Sequence, residues 1–104
     1  VETDTAGNIY LTGAFFGAVN FGLEDHTSAN MRDLYIAKFN SAGANIWSGG
    51  FGGSADQESF AVAVHSPTEI YIGGYLFSMF NFGGETPWLV SDGQDDAFLA
   101  KLSN

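Results

Sequence analysis

The chain contains no cysteine, only two prolines, and only three basic residues among its 104. The missing thiols exclude a disulfide scaffold and thiolate metal centres, while leaving the cellular compartment open. Arg32, Lys38 and Lys101 stand against twelve carboxylates, for a net charge of −9. Binding nucleic acid by counterion release needs a clustered basic patch, so this balance argues against a nucleic-acid partner. It also disfavours an anionic membrane surface. Long apolar runs are absent: no stretch approaches the ~20 residues of a membrane-spanning helix, and no basic segment followed by an apolar one opens the chain. No window sustains apolar residues at i, i+3, i+4 and i+7 over the length of a helix.

What is present is glycine, aromatic residues and repetition. Fourteen glycines, ten Phe, four Tyr and two Trp in a chain that is 45% apolar suit short strands joined by turns in one small domain. The octet "DLYIAKFN" (Asp33–Asn40) nearly returns as "DAFLAKLS" (Asp96–Ser103). Upstream, "NIYLTGAFFGAVNFG" (Asn8–Gly22) aligns without a gap with "EIYIGGYLFSMFNFG" (Glu69–Gly83). The identical pairs are Ile9/Ile70, Tyr10/Tyr71, Gly13/Gly74, Phe16/Phe77, Asn20/Asn81, Phe21/Phe82 and Gly22/Gly83. "VETD" (Val1–Asp4) further matches "VAVH" (Val62–His65). A strand-like period of about sixty residues marks a repeat architecture.

Each unit is expected to hold four strands: an inner one at Glu58–His65, a second at Ile70–Phe77, a third at Ala97–Leu102 (matching Leu34–Phe39) and a fourth at Ile46–Phe51. "DTAGN" (Asp4–Asn8) and "NSAGA" (Asn40–Ala44) place Asp or Asn first and Gly fourth, the pattern of a type I turn followed by a glycine bulge. "HSPTE" (His65–Glu69) has Thr68 at that glycine position, which predicts a different turn. The strands are apolar on both faces, with Ile70, Ile72 and Leu76 on one side and Tyr71, Tyr75 and Phe77 on the other. Each sheet should therefore be covered twice. Small residues on the inner strand (Ala61, Ala63) and aromatics further out suit sheets converging on an axis. The expected fold is all-β, with antiparallel four-stranded blades of a β-propeller, about two of them present. Repeat one takes residues 1–57 and repeat two 58–104.

Asp4, Gly7, Asn8, Ile9, Tyr10, Thr12 and Gly13, then Asn20–Gly22, Asp33–Phe39, Trp47 and Phe51–Ser54, form a pattern that resembles the bacterial β-propeller repeat known as the SBBP repeat. The resemblance spans nearly the whole chain in two copies; the second departs at His65, Thr68 and Gly73. It implies a secreted or surface-displayed bacterial scaffold with no shared catalytic activity. The acidic, cysteine-free composition suits the same extracellular setting.

Lys38 and Lys101 share one place in the octet, on the face of Ile36 and Leu99. A packing role repeated in each unit is expected, with the aliphatic stem buried and the ammonium near a carboxylate at the sheet edge. The acidic clusters are Asp56 with Glu58, and Asp92, Asp95 and Asp96. Asp92, Asp95 and Asp96 are the metal candidates, and calcium is the ion that carboxylates in glycine-rich turns would take. They lack EF-hand spacing, so solvated turn residues are the competing assignment and no cofactor is required. Asp33 and Asp96 share a repeat position and are expected to shape strand starts.

Trp88, in "GGETPWLVSDG", is the candidate ligand-binding residue, able to stack on a sugar ring; alternatively it folds down with Leu89 over the sheet edge. His26 falls in a loop and His65 replaces Asp4, with no His-x-x-x-His or Gly-x-Ser-x-Gly motif and hence no catalytic residue to assign. "GGFGGS" (Gly49–Ser54) lacks the Lys-Ser/Thr ending of a phosphate loop and is expected to let an outer strand bend away.

The expected function is a non-catalytic scaffold or interaction module of a secreted or surface bacterial protein. Its partners would be further blades, copies of itself, another protein or a glycan, without membrane insertion. A lectin-like glycan- or calcium-binding propeller is one alternative, and part of a propeller enzyme is another. Val1 falls within an inner strand and Asn104 within a turn, so two blades should leave apolar faces bare and associate. Those faces are expected to carry Tyr10, Phe16, Tyr35 and Phe39, or Tyr71, Phe77, Phe98 and Leu102.

Overall fold

A computed structural model describes residues 1–28, 31–52, 57–66, 69–76, 79–80, 89–90 and 96–102. The first repeat contributes β1 (Glu2–Thr3), β2 (Ile9–Phe15), β3 (Ala18–Asn20), β4 (Asp25–Thr27), β5 (Asp33–Phe39) and β6 (Asn45–Phe51). The second contributes β7 (Gln57–Ser66), β8 (Glu69–Leu76), β9 (Met79–Phe80), β10 (Leu89–Val90) and β11 (Asp96–Leu102). Among the described residues there is no helix. Two antiparallel sheets dominate: a four-stranded one in the order β1-β2-β5-β6 and a three-stranded one in the order β11-β8-β7. Two small hairpin sheets, β3 with β4 and β9 with β10, accompany them. The chain is all-β and antiparallel, and the sheets are small and unclosed.

Local chemistry sets the turns. Asp4 Oδ1 accepts from the backbone N–H of Ala6 and Asn8, and Asn40 Oδ1 does the same for Ala42 and Ala44. Gly7 and Gly43 take φ of 83° and 89°, the left-handed conformation that the expected bulge requires. The second repeat differs as its sequence implied. Pairing runs on to Ser66 opposite Glu69, leaving only positions 67 and 68 between β7 and β8.

The two large sheets share one core. Tyr10, Leu34 and Ile36 from the first meet Val62, Ile70, Ile72 and Leu76 from the second, with Trp47, Phe51, Val64, Phe98, Ala100 and Leu102 packed around them. Register shows which faces meet. Tyr10 stands opposite Lys38, Thr12 opposite Ile36 and Ala14 opposite Leu34, so these residues share the inward face of the first sheet. In the second sheet Ile70 stands opposite Leu102 and Ile72 opposite Ala100 and Val62.

The repeat alignment turns this contact into a rule. Tyr10, Ile36 and Lys38 correspond to Tyr71, Leu99 and Lys101, which point away from the core on the second sheet's outward face. Conversely, Ile70, Ile72 and Leu102 correspond to Ile9, Leu11 and Phe39, on the outward face of the first. The sheets therefore stack head to tail, joining two different faces of one repeated unit. Tyr10 and Tyr35 lie on opposite faces, so the apolar residues expected to be left bare do not form one surface. Tyr10 is fully buried, Phe98 and Leu102 pack into the core, and Phe16 is exposed. Phe77 lies outside the described residues.

Candidate functional site

Two polar constellations lie among the described residues. The first is a cleft of about 450 Å³ where the first turn faces the end of β7, lined by Thr3, Asp4, Thr5, Ala6, Asn8, Val64, His65 and Ser66. Asp4 is the only carboxylate among its described lining residues, and its acceptor capacity is occupied. Besides the two backbone bonds, Asp4 Oδ2 accepts from Asn8 Nδ2 at 3.0 Å and from the Tyr10 hydroxyl at 3.2 Å. Four donors fill the lone-pair sites of a carboxylate. These bonds, the Asn8 side chain first, hold the Asp4 carboxyl below its ordinary range. A carboxylate so occupied organises a turn and is poorly placed to serve as a base or metal ligand. His65, its repeat counterpart, is exposed.

The second constellation is the one that sequence reasoning missed. The sequence pattern puts His26 in a loop, whereas it belongs to β4, whose hairpin with β3 folds back on the first sheet. Asn20 shapes that hairpin, accepting from Gly22 N–H at 2.7 Å and donating to Asp25 Oδ1 at 2.8 Å. Ser28 closes its base through Gly17 in both directions. Phe21 is thereby laid over Tyr35, 4.8 Å between ring centroids, and near Phe39. Burial pushes the Tyr35 phenol up. His26 Nε2 then lies 2.7 Å from Ser48 Oγ on β6, and 3.8 Å from Glu24 Oε1.

A serine, a histidine and a carboxylate together invite comparison with a nucleophilic triad. The Ser–His distance suits one. The carboxylate does not: a triad needs it on the far ring nitrogen, orienting the imidazole while the near one takes the serine proton. Here Glu24 and Ser48 converge on the same Nε2, and Glu24 is largely exposed. The bond instead pins the hairpin to the edge strand. The signal available in sequence was indirect, because 22 residues separate the pair and only the fold of the hairpin joins them.

The repeated lysines have different settings. Lys38 is 7% exposed, with its Nζ 5.3 Å from the centre of the Tyr10 ring. The buried stem matches the expectation, but among the described residues the ammonium meets an aromatic face where a carboxylate had been expected. Lys101 is exposed.

Asp33 and Asp96 each open a strand, β5 and β11, as their repeat position implied. The Asp33 side chain is buried and occupies the space where a Cβ on Gly52 would sit. That close approach accounts for the first glycine after Phe51, where a bend had been expected. Trp88, Asp92 and Asp95 lie outside the described residues, as do Asp56 and the side chains of Glu58 and Asp96. Among the described residues no three metal-ligating side chains cluster. No known family, curated protein or solved structure matches the chain.

Proposed function

We propose that this chain is a non-catalytic, repeat-built β scaffold or interaction module of a secreted or surface bacterial protein, its two large sheets corresponding to neighbouring blades of a propeller. The head-to-tail contact carries the proposal. One face of a repeated unit covers a different face of the next, so units of this sequence are suited to adding in series and presenting a surface. The polar groups support it as well, since Asp4 is occupied by its turn and His26 by Ser48 and the hairpin. The SBBP-like pattern and the acidic composition supply the bacterial, extracellular setting.

The test is a panel of ester and peptide substrates together with calorimetric titration of calcium and a glycan array. The expected result is no turnover and no calcium or glycan binding. Hydrolysis lost in Ser48→Ala would replace the scaffold with an enzyme, and glycan binding lost in Trp88→Ala would replace it with a lectin.

A further inference from the structure

The outward face of the second sheet is unlike a finished surface. It carries Tyr71, Leu99 and Lys101, with Ala61, Ala63 and Ala97 beside them. Leu99 is 76% exposed, whereas its repeat counterpart Ile36 is 1% exposed. Lys101 is exposed where Lys38 is buried. The chain thus shows this same face in two states. On the first sheet it is covered by a neighbouring unit that brings β7 against β2 and β5. On the second, among the described residues, no sheet covers it, and Arg32 reaches only its edge, donating to the Tyr75 hydroxyl at 3.2 Å. The opposite end of the molecule offers the complementary face: Ile9, Leu11, Tyr35 and Phe39 line the outward side of the first sheet, half-buried, and Phe21 of the β3–β4 hairpin lies over Tyr35 and beside Phe39, so that its ring forms part of that face. Those residues correspond to Ile70, Ile72, Phe98 and Leu102, which already make the contact inside the molecule.

We propose that the Tyr71–Leu99–Lys101 face is a docking surface for a second copy of this chain, which seats its Ile9–Leu11–Phe39 face there, head to tail. The proposal rests on the stacked-unit reading given above. In the docked pair, β1 of the incoming copy takes the place that β7 holds in the internal contact, and Lys101 is covered as Lys38 is. Such a contact is heterologous, because the two copies use different patches, and repetition of it closes a ring or extends a filament. Each copy carries a net charge of −9, so screening by salt should strengthen the association, opposite to an ion-pair-driven one.

Cysteine cross-linking tests the pairing cleanly, since the chain has no cysteine of its own. Thr3→Cys, on β1, and Tyr71→Cys are mixed in equal amounts and oxidised. The expected product is a disulfide between the two different variants. In sedimentation runs the unmodified chain should associate, more strongly at higher salt. Leu99→Glu should weaken that association at least about tenfold, as charge at the centre of an apolar contact does. Met31→Glu, in the loop before β5, should leave it unchanged. Tyr71→Cys linking chiefly to itself would mean a symmetric pair and overturn the proposal. A monomer of 11.1 kDa at every concentration would overturn it too. If that monomer still melts in one cooperative transition, the internal stacking stands and only the docking of a second copy has failed.

Discussion

Lys38 and Lys101 occupy the same place in the same octet and have opposite fates. One is buried over the Tyr10 ring with Trp47 opposite it; the other is exposed on an open face. The local backbone does not explain this. Both lysines lie in seven-residue strands, each directly opposite a tyrosine at the matched register position, Tyr10 and Tyr71. What differs is the neighbour. The first sheet's inward face has a second sheet against it, and the equivalent face of the second sheet has none among the described residues. A side chain's burial is thus a property of the stack and not of the repeat, which is why matched substitutions in the two units should give unequal effects.

The largest inequality is expected at Ile36 and Leu99. Ile36→Ala removes fully buried methyl groups from the shared core and should cost about 2–5 kcal/mol in urea unfolding. Leu99→Ala in dilute, monomeric protein should stay within about 0.5 kcal/mol, as surface substitutions do. Equal losses would mean that the two faces are equally covered, and the comparison would collapse.

Gly52 sharpens the picture of the first sheet. A Cβ there would overlap the buried Asp33 carboxylate, so Gly52→Ala should cost about 1–3 kcal/mol, the range for overfilling a packed site. In an Asp33→Ala background the added cost of Gly52→Ala should shrink, which a double-mutant cycle on thermal unfolding would measure. An undiminished cost would place the obstruction elsewhere.

The lysines come next. Lys38→Met keeps a buried stem and loses the cation over Tyr10, an interaction worth about 0.5–2 kcal/mol that removal of a desolvated charge partly offsets. A change below about 1 kcal/mol is expected, whereas Lys38→Ala should cost more by emptying the stem's place. Both substitutions at Lys101 should be near neutral. A Lys38→Met loss as large as that of Lys38→Ala would make the charge, and not the stem, the stabilising part.

The smallest effect contrasts Asp4 with His65. Hydrogen bonds to the carboxylate, that of the Asn8 side chain first, hold the Asp4 pKa below its ordinary value, so the folded state binds that proton less readily than the unfolded chain. The charged form therefore stabilises at pH above the unfolded value and loses its contribution as pH falls through the depressed folded one. Asp4→Asn should lower the Tm at neutral pH, and the gap from wild type should close on acidification below about pH 4. His65→Asn, at an exposed position without those bonds, should show no such closing.

Much of the strand plan was legible because it rests on short-range rules. The expected inner strand at Glu58–His65 lies within β7, and the expected third and fourth strands match β5, β6 and β11 to within a residue or so. Alternation placed Ile70, Ile72 and Leu76 on one face, where they are buried. The Asp-x-x-Gly turns followed equally directly from side-chain bonding and glycine's left-handed φ. The short β3–β4 hairpin was not legible. Three-residue strands carry too little periodicity to register, so His26 reads as a loop residue in sequence, with nothing local to tie it to Ser48. Repetition, in turn, suggested one environment for both lysines, because an alignment compares sequences and not their surroundings.

The sequence alone determined an all-β chain with a doubled unit, its turn chemistry and the face on which the residues of the longer strands lie. Those properties depend on neighbours within a few positions, or on a two-residue period that any sheet must obey. Tertiary structure decided which of two apolar faces is covered, what Lys38 meets, and why a side chain at Gly52 would meet the Asp33 carboxylate. Those depend on one sheet arriving against another and on side chains approaching across strands, and no local pattern encodes the identity of the surface that arrives.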